Sequence, residues 1–209
     1  MYAQKHEGRV SASRQSTDVL LKVLSEQSSD LGHHIDGVAR LAQLTAERLG
    51  LDAQEAHWVR LAAELHDVGK TAIPATILDK PGPLSDDEWQ FMRRHTLIGE
   101  RIILAAPALA PAARLVRSSH ERVDGTGYPD RLRGDAIPRG SRIVSICDAF
   151  DAMVSQRSYS EAMTLTQALA ELQRCAGTQF DGEIVRVFDA LVREIGYAPG
   201  LSEQLDIAS

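Results

Sequence analysis

Cysteine is scarce: Cys147 and Cys175 are the two in 209 residues, too few for a disulfide framework in a chain of this size. Both lie in apolar helical patterns and read as reduced core residues. Long hydrophobic runs are missing too. No stretch approaches the roughly 20 apolar residues that cross a bilayer, and the first residues lack the apolar segment of a signal peptide. A cytoplasmic chain without a membrane segment is the expectation. Positive charge is not in excess, and a net charge of −6 disfavours a surface for duplex nucleic acid, although a few cations suffice for a small phosphorylated ligand. Strand-like alternation of Val, Ile and Thr, internal repeats and low-complexity segments are all absent, which leaves an all-α fold.

What is present is an ordinary globular composition, 44% hydrophobic and 25% charged, enough for one well-buried core. Apolar residues at helical spacing predict helices over 17–27 and 30–49, the second stopped by Gly50. Asp52 with Glu55 has capping-box spacing and opens a helix that carries Val59, Leu61, Ala62 and Leu65 up to His66. A proline-rich connection over 73–83 follows, its prolines each blocking regular helix. Ser85 and Glu88 form another capping box, before one helix with Trp89, Phe91, Met92, His95, Ile98, Ile102 and Ile103. A helix from Ala108 to about Ser119 ends on Ser119-His120-Glu121, and 124–129 reads as an irregular exposed turn. Pro138 starts an apolar helix that nonetheless holds Asp148 and Asp151. Thr164 with Gln167 caps the next helix, closed by Gly177, and Asp181 opens the last.

The chemistry centres on His66-Asp67-Val68-Gly69-Lys70. Adjacent His and Asp at a helix end offer one imidazole ligand and one carboxylate that can bridge two cations. Gly69 frees the backbone to turn after them, and Lys70 places a compact positive charge for a phosphate. Alone, the pair serves as well as a cap with its hydrogen-bond partner. Of the seven histidines, however, His34, His66, His95 and His120 each lie near a helix end or on an apolar helix, joined by Asp67 and Asp148. Each has a structural reading singly, but together they are enough for two cations sharing Asp67.

The order His34, His66-Asp67, His95, His120, Asp148 resembles the HD superfamily of metal-dependent phosphohydrolases. The stretches HDVGKTAIP (66–74), ILDKPGPLSDDEW (77–89), MRRHTLIGE (92–100), HERVDGTGYP (120–129), IPRGSRIVSICDAFDAM (137–153) and GTQFD (177–181) resemble its HD-GYP branch. The resemblance implies a bundle of about seven helices over 17–195, with tails at 1–16 and 196–209. It also implies a phosphodiesterase that opens cyclic di-GMP to the linear dinucleotide and GMP through a metal-bridging hydroxide. Carried over by position, His34, His66, Asp67, His95, His120 and Asp148 are metal ligands, with Asp67, Asp148 and Lys70 catalytic. Lys70, Arg157 and the loop residues Gly127, Tyr128 and Pro129 meet the substrate. Glu121, Asp151 and Ser119 lie behind the ligands. The cofactors implied are two divalent transition-metal ions, iron or manganese.

Three positions depart from the family pattern. Ser119 stands where the family commonly has a histidine, Asp30 where three-metal members have Glu, and Ser160 where relatives often have Lys. Serine is a far poorer ligand, and Asp30 is one methylene short for a third metal. Tyr2, Ala3, Lys5, Gly8 and Arg9 resemble the end of a diguanylate cyclase (GGDEF) domain, so a linked or separate GGDEF domain is an expected partner, and a homodimer is another. A catalytically weak or inactive cyclic di-GMP-binding or interaction module is the alternative reading.

Overall fold

The computed structural model describes residues 31–155 and 162–197, with side chains described from Gly37 onward. The helix expected over 17–27, together with Asp30, the His34 side chain, Arg157, Ser160 and the GGDEF-like start, lies outside the described residues. Nine α-helical segments occur among the described residues: α1 (Leu31–Arg48), α2 (Ala53–Leu65), α3 (Ala75–Leu78), α4 (Asp86–Met92), α5 (His95–Leu104), α6 (Ala110–Arg117), α7 (Arg139–Val154), α8 (Leu165–Arg174) and α9 (Gly182–Glu194). Short 3-10 turns cover Val68–Ala72, Pro107–Leu109 and Gly134–Ala136. A single bridge between Ala176 and Phe180 is the sole strand-like pairing among the described residues. The fold is all-α, and no single described helix is long and apolar enough to cross a membrane.

Local chemistry sets the helix starts. Asp52, Ser85 and Thr164 each accept a hydrogen bond from the backbone N–H three residues on, and the side-chain oxygens of Glu55, Glu88 and Gln167 accept from the backbone N–H of those caps, completing three capping boxes. Asp181 accepts from the N–H groups of Glu183 and Ile184 at the head of α9. Pro74 stands at the start of α3, so the proline-rich connection contains one short helical turn that the prolines frame rather than exclude.

The core forms around α7, whose Ile143, Val144, Ile146, Cys147 and Phe150 are fully buried. The α7 helix packs on α1, α2 and α8, and α9 closes the far side against α1 and α8. Phe150 meets Phe188 edge-on at 5.0 Å and Tyr197 at 5.2 Å, geometries that aromatic quadrupoles favour. The α5 helix packs on α6 and on the turn Val68–Ala72. Cys175 departs from the expected core position: it caps the end of α8 and is partly exposed, while Cys147 is buried.

The stretch expected as one helix from Ser85 to Ile103 is two, broken at Arg93–Arg94. In an unbroken helix the Met92 and Arg93 carbonyls would accept from backbone N–H groups four residues on. Here the His95 imidazole and the Thr96 hydroxyl reach those carbonyls, at 2.8 and 3.2 Å. Side chains thus compete with the backbone ladder and end it.

Candidate metal centre

The α2 helix ends at Leu65, His66 caps it, and the chain winds at once into the turn Val68–Ala72 headed by Asp67. That puts His66 and Asp67 on consecutive, differently directed positions. Gly69 is required for close approach rather than for turning: a Cβ there would lie 1.9 Å from the His95 carbonyl oxygen and 2.6 Å from the Gly99 nitrogen. The contact brings the start of α5, and His95 with it, against the His66-Asp67 turn. His120 arrives just past the end of α6, and Asp148 from the middle of α7.

One ligand atom each from Asp67, His95 and His120 lies within 4.8 Å of the other two. His66 Nε2 is 3.5 Å from Asp67 Oδ2 and 3.5 Å from Asp148 Oδ1. Five of the six expected ligands therefore converge, and His34 stands in the first turn of α1. His66 Nδ1 and His95 Nδ1 each lie 2.8 Å from a carbonyl oxygen three residues back, of Ala63 and Met92. Carbonyls only accept, so each Nδ1 carries a proton; the Nε2 of neutral His95 turns a lone pair inward, and that of His66 is freed to do so once a cation displaces its second proton. His66 Nε2, Asp67 Oδ1, His95 Nε2 and His120 Nε2 are buried without a hydrogen-bond partner among the described residues. Buried polar atoms are rarely left so. An inward-facing set of imidazole nitrogens and carboxylate oxygens is the donor set divalent transition metals take, and the residues fit that group.

The charge balance points the same way. Burial lowers His95, and lowers His120 to about 4, so both rings are the neutral form that ligates. Burial would lower His66 as well, but the Asp67 and Asp148 carboxylates raise it to about 9. Burial would raise Asp67, yet His66, Lys70 and His95 hold it far below the carboxylate range. The two carboxylates draw positive charge to this spot. Lys70 answers part of that, its Nζ donating to Asp67 Oδ2 at 2.6 Å while a third of its side chain stays exposed.

The 124–129 loop, expected to be exposed, folds inward. Gly127 is buried, and a Cβ there would strike the backbone of Glu121 and Arg122 at 2.4–2.7 Å. Tyr128 stacks on His120 with ring centroids 5.2 Å apart and planes at 16°. Burial, then Asp67 and Asp148, raise its phenol above the ordinary range. Pro129 follows through a cis peptide bond.

Glu121 is buried and clamps this loop, its carboxylate accepting from the N–H groups of Asp130 at 2.6 Å and Leu132 at 3.0 Å. The GTQFD stretch holds the other arm, because Val123 N and Asp124 N donate to the carbonyls of Gln179 and Thr178 at 3.2 and 2.9 Å. Asp151 is buried one turn beyond Asp148 and accepts from the Ser155 hydroxyl at 3.2 Å. Ser119 is buried too, and its hydroxyl donates to the Val116 carbonyl at 2.9 Å.

Sequence reasoning passed over several residues here. Arg117 on α6 donates to Asp130, at 2.7 and 2.8 Å, and to Glu100 at 2.5 Å, pinning the loop to α5. Arg93 sits over both Tyr128 and Trp89. A basic residue beside a ligand histidine was the available signal for Arg93, while nothing local marks Arg117 as the partner of Asp130.

A buried imidazole–carboxylate cluster at the ends of packed helices defines a metal-binding all-α domain. The HD-domain family model matches residues 16–184, and the chain belongs to that family, in its HD-GYP branch. It is 38% identical over 198 residues to the cyclic di-GMP phosphodiesterase response regulator RpfG of Xanthomonas campestris, covering 94% of this chain and 52% of that protein. It is 38% identical over 179 residues to a cyclic di-GMP phosphodiesterase of Thermotoga maritima, covering 84% of this chain and 49% of that protein. A 3'3'-cGAMP-specific phosphodiesterase of Vibrio cholerae is 38% identical over 170 residues, which cover 80% of this chain and 33% of that protein. The chain thus spans about half the length of the first two relatives and about a third of the other. Among solved structures, Bd1817, a HDG"Y"P protein from Bdellovibrio bacteriovorus, shares the fold with a TM-score of 0.64 at 18% identity, over 90% of this chain and 64% of that one.

Proposed function

We propose that this chain is a divalent-metal-dependent phosphodiesterase that hydrolyses cyclic di-GMP to the linear dinucleotide and on to GMP. The observation that carries the reading is the set of four orphaned, inward-facing ligand atoms of His66, Asp67, His95 and His120, with Lys70 at their edge. The relatives named cyclic di-GMP phosphodiesterases supply the substrate class. His34, His66, Asp67, His95, His120 and Asp148 would hold two ions, iron or manganese. Asp30, one methylene shorter than Glu, stands where a third ion would need a ligand, and two ions is the reading. When bound, the ions polarise the phosphoryl oxygens and make a water acidic enough to attack near neutral pH.

The chain's own groups do the rest. Asp67 and Asp148 keep the centre anionic enough to concentrate cations, and His66 and His95 are locked in the ligating tautomer by Ala63 and Met92. Lys70 has a flexible stem and an ammonium beside Asp67, from which it reaches phosphate oxygens and stabilises charge that grows in the transition state. Arg157, phosphate-binding by resemblance, would offer phosphate a bidentate grip that lysine cannot reproduce. Each ester cleavage consumes one water, and the released sugar oxygen takes a proton. Tyr128, stacked on His120, walls the site on the loop side, and Pro129 follows it through the cis bond. An Asp67→Ala variant is expected to lose both bound metal and turnover of cyclic di-GMP, and retained turnover would remove the reading.

A second reading, a weak or inactive cyclic di-GMP-binding module, is favoured by one observation: the Ser119 hydroxyl is spent on the Val116 carbonyl. Tight binding without turnover in metal-replete, reducing buffer would select it. Residues 17–195 form the domain in either case. A GGDEF domain, linked or separate, is the proposed partner, with homodimerisation and a cytoplasmic setting.

A further inference from the structure

The geometry points to Arg93 as the residue that reads a guanine base of the substrate, with Trp89 as the shelf on which that base stacks. The inference rests on the phosphodiesterase reading and adds to it a determinant of base preference. Arg93 lies in the break between α4 and α5, two residues before His95. Its guanidinium carbon is 5.6 Å from the Tyr128 ring centroid and 5.9 Å from that of Trp89, both within cation–π range. Tyr128 in turn stacks on His120. Arg93 is therefore one aromatic ring away from the His120 imidazole, within the span of a nucleoside attached to a phosphate at the centre.

The two rings lie within cation–π range of the guanidinium, and its N–H donors remain uncommitted. Among the described residues no hydrogen bond or ion pair engages them, whereas Arg117, Arg122 and Arg142 are each held by carboxylates. Arg93 is exposed, and Trp89 is 45% exposed, an unusual setting for an indole. A guanidinium edge has donors alone, and guanine offers two acceptors, N7 and O6, at matching spacing. Adenine presents N7 beside an amino donor, which a guanidinium cannot satisfy. The pair Arg93 and Trp89 thus predicts guanine over adenine, with the exposed indole supplying stacking that is indifferent to base identity.

The test is calorimetric affinity of the full chain, loaded with calcium in place of manganese so that bound dinucleotide is not turned over, for cyclic di-GMP and cyclic di-AMP, in the wild type, Arg93→Ala, Arg93→Lys and Trp89→Ala, with far-UV circular dichroism as the check of fold. Arg93→Ala is expected to cut the guanine preference by about tenfold or more. Arg93→Lys should restore part of it, because an ammonium can donate to guanine N7 and O6 but lacks the rigid fork. Trp89→Ala should weaken both ligands alike. An unchanged preference in Arg93→Ala, with equal losses for the two dinucleotides, would overturn the assignment. Wild-type turnover of bis(p-nitrophenyl) phosphate, which has no base, reports separately on the phosphodiesterase reading. No turnover there removes that reading, and the affinity ratio still decides Arg93.

Discussion

Lys70 and Gly69 are neighbours with opposite kinds of consequence. Lys70 lies at the edge of the ligand cluster, bonded to Asp67 and partly open to solvent, so Lys70→Ala is expected to leave melting nearly unchanged and to lower kcat by about a hundredfold. An equal kcat would remove Lys70 from the chemistry. Gly69→Ala acts through packing, since its Cβ would fall 1.9 Å from the His95 carbonyl oxygen. Separation of α5 from the turn is the way to relieve that clash, and the expected result is a loss of about 1–3 kcal/mol together with weaker metal binding. Thermal melting and metal content measured on one sample check both. Sequence reasoning found both residues but read Gly69 as a turning point when it is a contact point. The residue it meets across that contact, His95, is far along the chain, and no local pattern announces it.

At the scale of elements, what was legible was what is local. The capping boxes at Asp52, Ser85 and Thr164 depend on residues three apart, and all three form as expected. The division of the 85–103 stretch was not legible, because it depends on His95 and Thr96 turning their side chains to carbonyls behind them. Nor was the inward fold of the 124–129 loop, which rests on Glu121, on Arg117 with Asp130, and on backbone bonds to residues 178–179. That loop supplies a further test. Arg117→Ala frees Asp130 and Glu100 together, and is expected to raise KM for cyclic di-GMP several-fold with kcat less affected. An unchanged KM would show that Glu121 and the 178–179 arm hold the loop unaided. Ser85→Ala, by contrast, should cost about 1 kcal/mol of stability through the lost cap, read as a lower melting temperature with the metal site intact.

Across the whole molecule, helices from distant parts of the chain deliver ligands to one point, and α7 both carries Asp148 and anchors the core through Phe150. Metal binding and folding are therefore expected to be coupled. Ions that bind the native chain and not the unfolded one add about 2.7 kcal/mol at a hundredfold excess over the dissociation constant. Chelation is expected to lower the melting temperature, and added manganese to restore it. The order of the converging histidines and aspartates was legible because the HD-GYP stretches carry it, although the distances between them were not. Metal content of anaerobically purified protein, followed on the same sample by cyclic di-GMP turnover, decides whether the cluster is a working metal centre. About two equivalents of iron or manganese, with turnover, is the expected result. One equivalent or less, with no turnover after reconstitution, would contradict it.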